Sequence, residues 1–366
     1  MTGTEWILRK RSVFIILGIF LVLSLFSIRS TIHNSPYVDD VSSSMDIDTD
    51  LSTTSTTNSE KNNVSTTTPV GEEEEDQPEA ENLVEVLTKP TTEEEFTPKE
   101  FEPISKPIQD IIKKNLMKHK KDNILLTAVA NGGMADYTLN WIASLERTKL
   151  SKKFLVFAIN QELTDILTEK GYGDHVVNIP QEWFHQKLSG DEAKWLSKEY
   201  LPITHAKSLV VERLLYMDVT VWFSDVDIVF TSPAIYDYLM MKLDSRKTTE
   251  MLFTQETEQK ILNSGFYIMR PTLAAKRVLA DSIVITDKEP KVSQQRAMNR
   301  IIDDMNLNYQ NSKIALLDLA LFPHGRMYFE RKVPTKYGLE PFMVHANYRI
   351  GDEKRKSLQG ADLWYL

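Results

Sequence analysis

Hydrophobic and polar positions divide the chain into three regimes. Val13 to Ile28, VFIILGIFLVLSLFSI, is apolar apart from Gly18 and two serines and carries no charge. Residues 30 to about 105 are rich in Ser, Thr, Glu, Asp and Pro and hold too little apolar surface to offset the entropy of ordering them. After Lys114, apolar runs of strand length alternate with stretches of helical periodicity.

The third regime predicts a series of elements. Asn123 to Ala130 (NILLTAVA) reads as a buried strand, Ala135 to Glu146 as a helix, Lys153 to Ile159 as a strand, and Gln161 to Lys170 as a helix ended by Gly171. His175 to Ile179 is a short third strand. A long loop with Trp183, Phe184 and Trp195 leads to a helix from about His205 to Met217 and then the strand Thr220 to Phe223. Such alternation predicts a mostly parallel sheet covered by helices. Later expectations are helices over Ser232 to Leu243, Pro271 to Asp281 and Gln294 to Asn306, and strands over Met251 to Thr254 and Phe266 to Met269.

Arg9, Lys10 and Arg11 immediately precede the first apolar run, which predicts a cytosolic N-terminus and a membrane anchor over residues 12–29. The run is short for a hydrocarbon core of ~30 Å, but thinner internal membranes and the preceding Trp6, Ile7 and Leu8 make up the length. No small-x-small pattern follows Leu25, so an uncleaved anchor is favoured over a cleaved signal peptide. The expected layout is a tail over 1–11, the anchor, a disordered stem over 30–105 and a lumenal body over 106–366. That arrangement is typical of single-pass type II Golgi enzymes and is shared by some receptors. The stem carries one N-glycosylation sequon, Asn63-Val64-Ser65.

Charge changes this picture in one respect. The formal net charge is -9, yet residues 39 to 102 hold 19 acidic and 3 basic groups. The acidity therefore belongs to the stem, and the body is mildly basic. A strongly basic nucleic-acid binder is excluded, while a local positive pocket for an anionic ligand is not. With no cysteine in the chain, disulfides, thiolate metal sites and a cysteine nucleophile are excluded as well. Neither Gly-x-Gly-x-x-Gly after the first strand nor a Gly-Lys-Ser/Thr loop is present, so dinucleotide-binding and P-loop readings lack support.

The densest chemistry lies in WFSDVDIVF, residues 222–230. In an extended segment, Asp225 and Asp227 would face one side and Val226 and Ile228 the other. Two adjacent carboxylates within apolar sequence repel and are costly to bury, so they call for a cation. Oxygen ligation suits a hard divalent ion, Mn2+ or Mg2+, which can bridge the oxygens of a diphosphate.

This segment resembles the Asp-x-Asp motif of A-fold glycosyltransferases, in particular the nucleotide-diphospho-sugar transferase family numbered seventy-seven. Similar blocks occur in order from Asn123 to Trp364: LLTAVANGGMADYTLNWIASL, the strand and helix before WFSDVDIVF, then NSGFYIMRPT, LFPHGRMYF and VHANYRIGDEKRKSLQGADLW. The resemblance implies a Rossmann-like mixed α/β sheet flanked by helices. It also implies that the turn Thr127 to Asn131, with Thr127, Ala128 and Asn131, holds the nucleoside. Asp225 would contact ribose and metal, Asp227 would be the firmer metal ligand and His345 the third. Asn347, Gly351 and Lys354 would belong to a phosphate-binding block, and Asn263, Ser264 and Gly265 would lie beside the sugar.

Lys207 shares a helical face with Val210, Val211 and Leu214. It could reach the donor phosphates or lay its stem along that face, and the sequence favours the second. Gln295 aligns with a glutamine of the family and joins Asp225 and Asp227 as a catalytic candidate. The preceding Gln294 departs from the family, whose members commonly carry a carboxylate there. The expected activity is metal-dependent and, by resemblance, retaining. It would move xylose, galactose or arabinose from a UDP-sugar to a hydroxyl of a glycan or glycoprotein, with no nucleic-acid partner. The second reading, prompted by Gln294, is an anchored protein that keeps the fold and binds glycan or nucleotide without turnover.

Overall fold

The computed structural model describes residues 96–185, 200–258, 260–307 and 313–366. All lie in one of the two units into which the chain divides, Pro78–Leu366. The expected anchor, the Asn63 sequon, Trp195 and most of the stem fall outside the described residues. Among the described residues, no helix is long and apolar enough to cross a membrane.

Among the described residues, eight strands form the main sheet. A hairpin of β1 (Met117–His119) and β2 (Asp122–Ala130) opens it, followed by β3 (Leu155–Ala158), β4 (Val176–Asn178), β5 (Thr220–Ser224), β7 (Met251–Thr257), β8 (Ile261–Met269) and β9 (Ile314–Leu316). The order is β4-β3-β2-β5-β8-β7-β9. From β4 to β5 all pairings are parallel, whereas β8 runs antiparallel to both β5 and β7. The sheet is thus mixed, with a parallel half and a largely antiparallel half, rather than mostly parallel.

Alternation along the strands fills two cores. In β2, Leu126, Ala128 and Ala130 enter one apolar cluster, while Leu125 and Val129 enter the other. Likewise Trp222 of β5 faces one side and Val221 and Phe223 the other. A sheet buried on both faces needs near-continuous apolar strands, which these segments supply. Helices α2 (Ala135–Arg147), α3 (Gln161–Glu169) and α5 (Ile235–Asp244) cover the first face, joined near the end of the chain by α9 (Asp352–Gln359). Helices α1 (Lys106–Lys114), α4 (Tyr200–Tyr216), α6 (Leu273–Lys288) and α7 (Gln294–Asp304) cover the second. The short α8 (Val333–Lys336) precedes β10 (Met343–His345).

Several expectations need correction. The helix expected from His205 starts at Tyr200, because Pro202 falls in its first turn, where a missing N–H costs no intrahelical bond. Helix α6 continues past Asp281 to Lys288 through a β-branched run that suggests a strand; Ser282 and Thr286 tie it into the helix through bonds to Val278 O and Ile283 O. Thr127 to Ala130 lie within β2 and form no turn. The last residues assigned to the stem belong to the body. Lys99 N–H donates to the Tyr216 hydroxyl at 2.8 Å, and Phe101 packs edge-on against the Tyr216 ring.

Two connections shape the region around the end of β5. The chain runs from β2 outward to β3 and β4, then returns to β5 on the other side of β2. Crevices at the carboxyl ends of such diverging strands are the usual ligand sites of open α/β sheets. In addition, β6 (Ile228–Phe230) pairs antiparallel with β10, with His345 opposite Ile228.

Candidate active site

Strand β5 ends at Ser224, and the next three residues form a turn closed by Ile228 N–H on Asp225 O at 3.3 Å. Asp225 and Asp227 therefore stand on a tight turn and not on an extended segment. Their convergence comes from tertiary structure and not from a period of two. The turn is braced from below: Trp141 Nε1 donates to Ser224 Oγ at 3.0 Å, and Asp225 N–H donates to Gly265 O at 2.7 Å.

Pairing of β6 with β10 delivers His345. Its Nε2 lies 3.2 Å from Asp227 Oδ1 and 3.9 Å from Asp225 Oδ2. One ligand-type atom from each of these three residues can be chosen so that all lie within 4.8 Å of one another. Lys207 Nζ sits 2.5 Å from Asp225 Oδ1 and Lys354 Nζ 2.6 Å from Asp227 Oδ2. Lys207 thus turns its ammonium into the site and does not trail it along the helix surface. Burial pushes the Asp227 carboxyl upward, but Lys354 and His345 outweigh it and hold the group well below the usual carboxylate range. Burial pulls Lys354 down, and the Asp227 charge more than reverses this.

Gly265 makes room for the cluster. A Cβ there would lie 2.6 Å from His345 Cε1 and 2.7 Å from Asp225 Oδ2. The glycine belongs to a bulge in which pairing of β7 with β8 jumps from Phe253↔Tyr267 to Thr254↔Asn263. Asn263 and Ser264 hold that bulge in place. Asn263 Oδ1 accepts from Gly265 N–H at 2.8 Å, and Gln295 Oε1 accepts from Ser264 N–H at 3.0 Å. Gln294, by contrast, is buried at the start of α7 with its amide nitrogen 3.4 Å from Met298 Sδ.

The remaining candidates divide. Asn131 follows the end of β2 and is buried. Thr127 donates its hydroxyl to Leu155 O at 2.7 Å inside the sheet, and Ala128 is fully buried in the core, so both support the strand. Asn347 Oδ1 accepts from Gly325 N–H at 2.8 Å, binding the loop after His345 to the turn at Gly325. Gly351 precedes α9 with φ +53°, and Lys354 projects from the first turn of that helix. Glu256 was not singled out by its sequence context: it accepts from Asn263 Nδ2 at 2.5 Å and from the Tyr348 hydroxyl, linking the bulge to the loop after β10. No local pattern marks Glu256, since its partners lie 7 and 92 residues away.

A family model described as nucleotide-diphospho-sugar transferase matches residues 149–358, more than half of the chain. The chain belongs to that family. The match begins after the first of the resembling blocks and includes every residue of the carboxylate, histidine and lysine cluster. A UDP-galactose:fucoside alpha-3-galactosyltransferase of Dictyostelium discoideum is 24% identical over 289 residues, covering 68% of this chain and 44% of that protein. The arabinosyltransferase XEG113 of Arabidopsis thaliana is 23% identical over 269 residues, covering 67% and 40%. The chain thus spans less than half the length of either relative. A galactosyltransferase LgtC structure with donor and acceptor sugar analogues superimposes with a TM-score of 0.42 at 9% identity, covering 66% of this chain and 95% of that one.

The donor set fits a divalent cation. Two carboxylates and one imidazole suit a hard to borderline ion, and Gly265 leaves the space beside them clear. The charges fit a diphosphate as well. Asp225 and Asp227 are balanced by Lys207 and Lys354, so an added divalent ion leaves a net positive site for an anion.

Proposed function

We propose that this chain transfers a sugar from a UDP-sugar to a hydroxyl of a glycan or glycoprotein, with a divalent ion, Mn2+ or Mg2+, held by Asp225, Asp227 and His345. The observation that carries the reading is the convergence of those three ligands with two lysines beyond the carboxyl end of β5. Bound there, the ion would supply positive charge to a departing diphosphate.

The residues of the chain have distinct parts in this reading. Lys207 and Lys354, each on a carboxylate that would hold the ion, would be the side chains placed to contact phosphate oxygens of the donor. Gly351 and the start of α9 let the chain approach the diphosphate closely. Gln295 holds the Asn263-Ser264-Gly265 bulge against the sugar. Retention of configuration is part of the proposal and rests on family resemblance, with no protein nucleophile assigned. Galactose, arabinose and xylose are the donor sugars to test; the two sequence relatives are named for galactosyl and arabinosyl transfer.

The proposal includes a Golgi-membrane location with the body lumenal, supported by the apolar run that follows Arg9-Lys10-Arg11. The experiment is a screen of the full-length protein against a panel of UDP-sugars and acceptor glycans with Mn2+. Turnover that disappears in Asp227→Ala is the expected result. Donor binding without turnover across the panel overturns it and leaves a nucleotide-binding protein with this fold.

A further inference from the structure

Away from the carboxylate pair, three more ligand-type side chains converge from separate elements. They are His185, two residues beyond the short helix ending at Trp183, His205 in α4 and Asp287 near the end of α6. His185 Nδ1 lies 3.0 Å from both Asp287 oxygens, and His205 Nε2 lies 3.0 Å from Asp287 Oδ1. The ligand atoms of all three can lie within 4.8 Å of one another. A tetrahedral zinc with bonds of about 2.0–2.1 Å has ligand edges of roughly 3.4 Å, so the two histidine–carboxylate spacings need to open by only a few tenths of an ångström.

The histidine in α4 is oriented from behind. His205 Nδ1 is 2.8 Å from Thr286 Oγ1, and that hydroxyl is also 3.0 Å from Ile283 O and 3.2 Å from Ser282 O. The carbonyls can only accept, so a hydroxyl proton given to either one leaves the Thr286 oxygen to accept from Nδ1–H. In that tautomer of the neutral ring the Nε2 lone pair faces a carboxylate oxygen, an arrangement that a cation relieves. A ligating imidazole whose other ring nitrogen donates to a neighbour is the usual outer-shell device of metal centres.

We propose that His185, His205 and Asp287 form a second metal site, for a zinc-type divalent ion with water completing its shell. Two imidazoles and one carboxylate are softer than the donor set at Asp225 and suit zinc better than Mg2+. His205 is buried, whereas His185 and Asp287 are exposed and give the ion access. A metal here would fasten the stretch around the short helix Gln181–Trp183 to α4 and α6. Because α4 also carries Lys207, the tie would steady the helix that serves the carboxylate pair.

The test separates the two sites by mutation. Full-length metal-stripped protein carrying Asp227→Asn is titrated with Zn2+ by calorimetry, alone and combined with His185→Ala. His185 is exposed, so its loss leaves the core intact. Expected are one zinc equivalent and a raised Tm in Asp227→Asn, and affinity on the order of 100-fold weaker with no Tm gain in the double variant. Zinc binding unchanged by His185→Ala, or none in Asp227→Asn, overturns the site. Either outcome leaves the sugar-transfer reading untouched, since that rests on other residues.

Discussion

Lys354 places its Nζ 2.6 Å from Oδ2 of Asp227, across 127 positions of the chain. Asp227 is buried and Lys354 shows only 19% of its side chain, so each charge depends on the other. Substituting Lys354→Met leaves a buried carboxylate with His345 alone. The expected cost in metal-free protein is about 3 kcal/mol, measured by urea unfolding. Added Mn2+ should recover part of that loss, because it supplies the missing cation. Donor turnover should stay abolished, with no rescue by Lys354→Arg, whose planar fork does not fit a point-charge position.

Gly265→Ala tests the space beside the ligands. The residue has no positive φ, so alanine strains nothing in the backbone. Its Cβ would nonetheless press on His345 Cε1 and Asp225 Oδ2. Affinity for Mn2+, followed by calorimetry, should fall at least about tenfold, a differential cost near 1.4 kcal/mol. Far-ultraviolet circular dichroism should be unchanged. Unaltered Mn2+ affinity would show that the ion binds elsewhere.

Gln295→Leu removes the acceptor of Ser264 N–H and leaves that donor unpaired beside the bulge. Stability should drop by about 1–2 kcal/mol, and kcat for the best donor should fall along with it. Gln295→Glu keeps an oxygen acceptor and should restore stability. If both variants unfold alike, the contact contributes nothing to holding the bulge.

Much of this arrangement can be read locally, and the unread part has a common cause. The elements β2 through α3 follow their apolar periods closely, because the strands bury both faces, one in each core, and the helices bury one face in the first core. Asp225, Asp227, His345 and Lys354 are all visible as chemistry in their sequence blocks. What the sequence conceals is how they meet. Strand β6 is three residues long and adopts its pairing only with β10, more than 100 positions away. The expected extended Asp-Val-Asp proves to be a turn because the β5–β8 ladder ends with Asp225 N–H on Gly265 O, after which the chain folds back so that Ile228 can pair with His345 of β10. Lys207 is ambiguous in sequence for a related reason: its partner, Asp225, lies on a different element.

Attachment of residues 96–105 to the body gives the last prediction. Lys99 Nζ pairs with Glu212 Oε1 at 2.8 Å, and Phe101 lies beneath the Arg213 guanidinium, 3.7 Å from ring centroid to Cζ. Burial raises the Glu212 carboxyl above its ordinary value, and Lys99 offsets this only in part. A raised pKa favours folding at low pH: this contribution is complete below the unfolded value near 4.3 and is lost as pH rises through the folded one. Lys99→Met removes the offset and should enlarge that loss. Urea midpoints should therefore show the variant destabilised by about 2 kcal/mol at pH 7, an amount discounted for the partial exposure of Lys99, and by less at pH 5. Adding Glu212→Gln should flatten the pH dependence and recover the pH 7 loss, since a neutral amide needs no counter-charge. Equal destabilisation at both pH values would mean that the Lys99 side chain holds the segment through contacts such as its position over the Phe101 ring and not through the buried carboxylate.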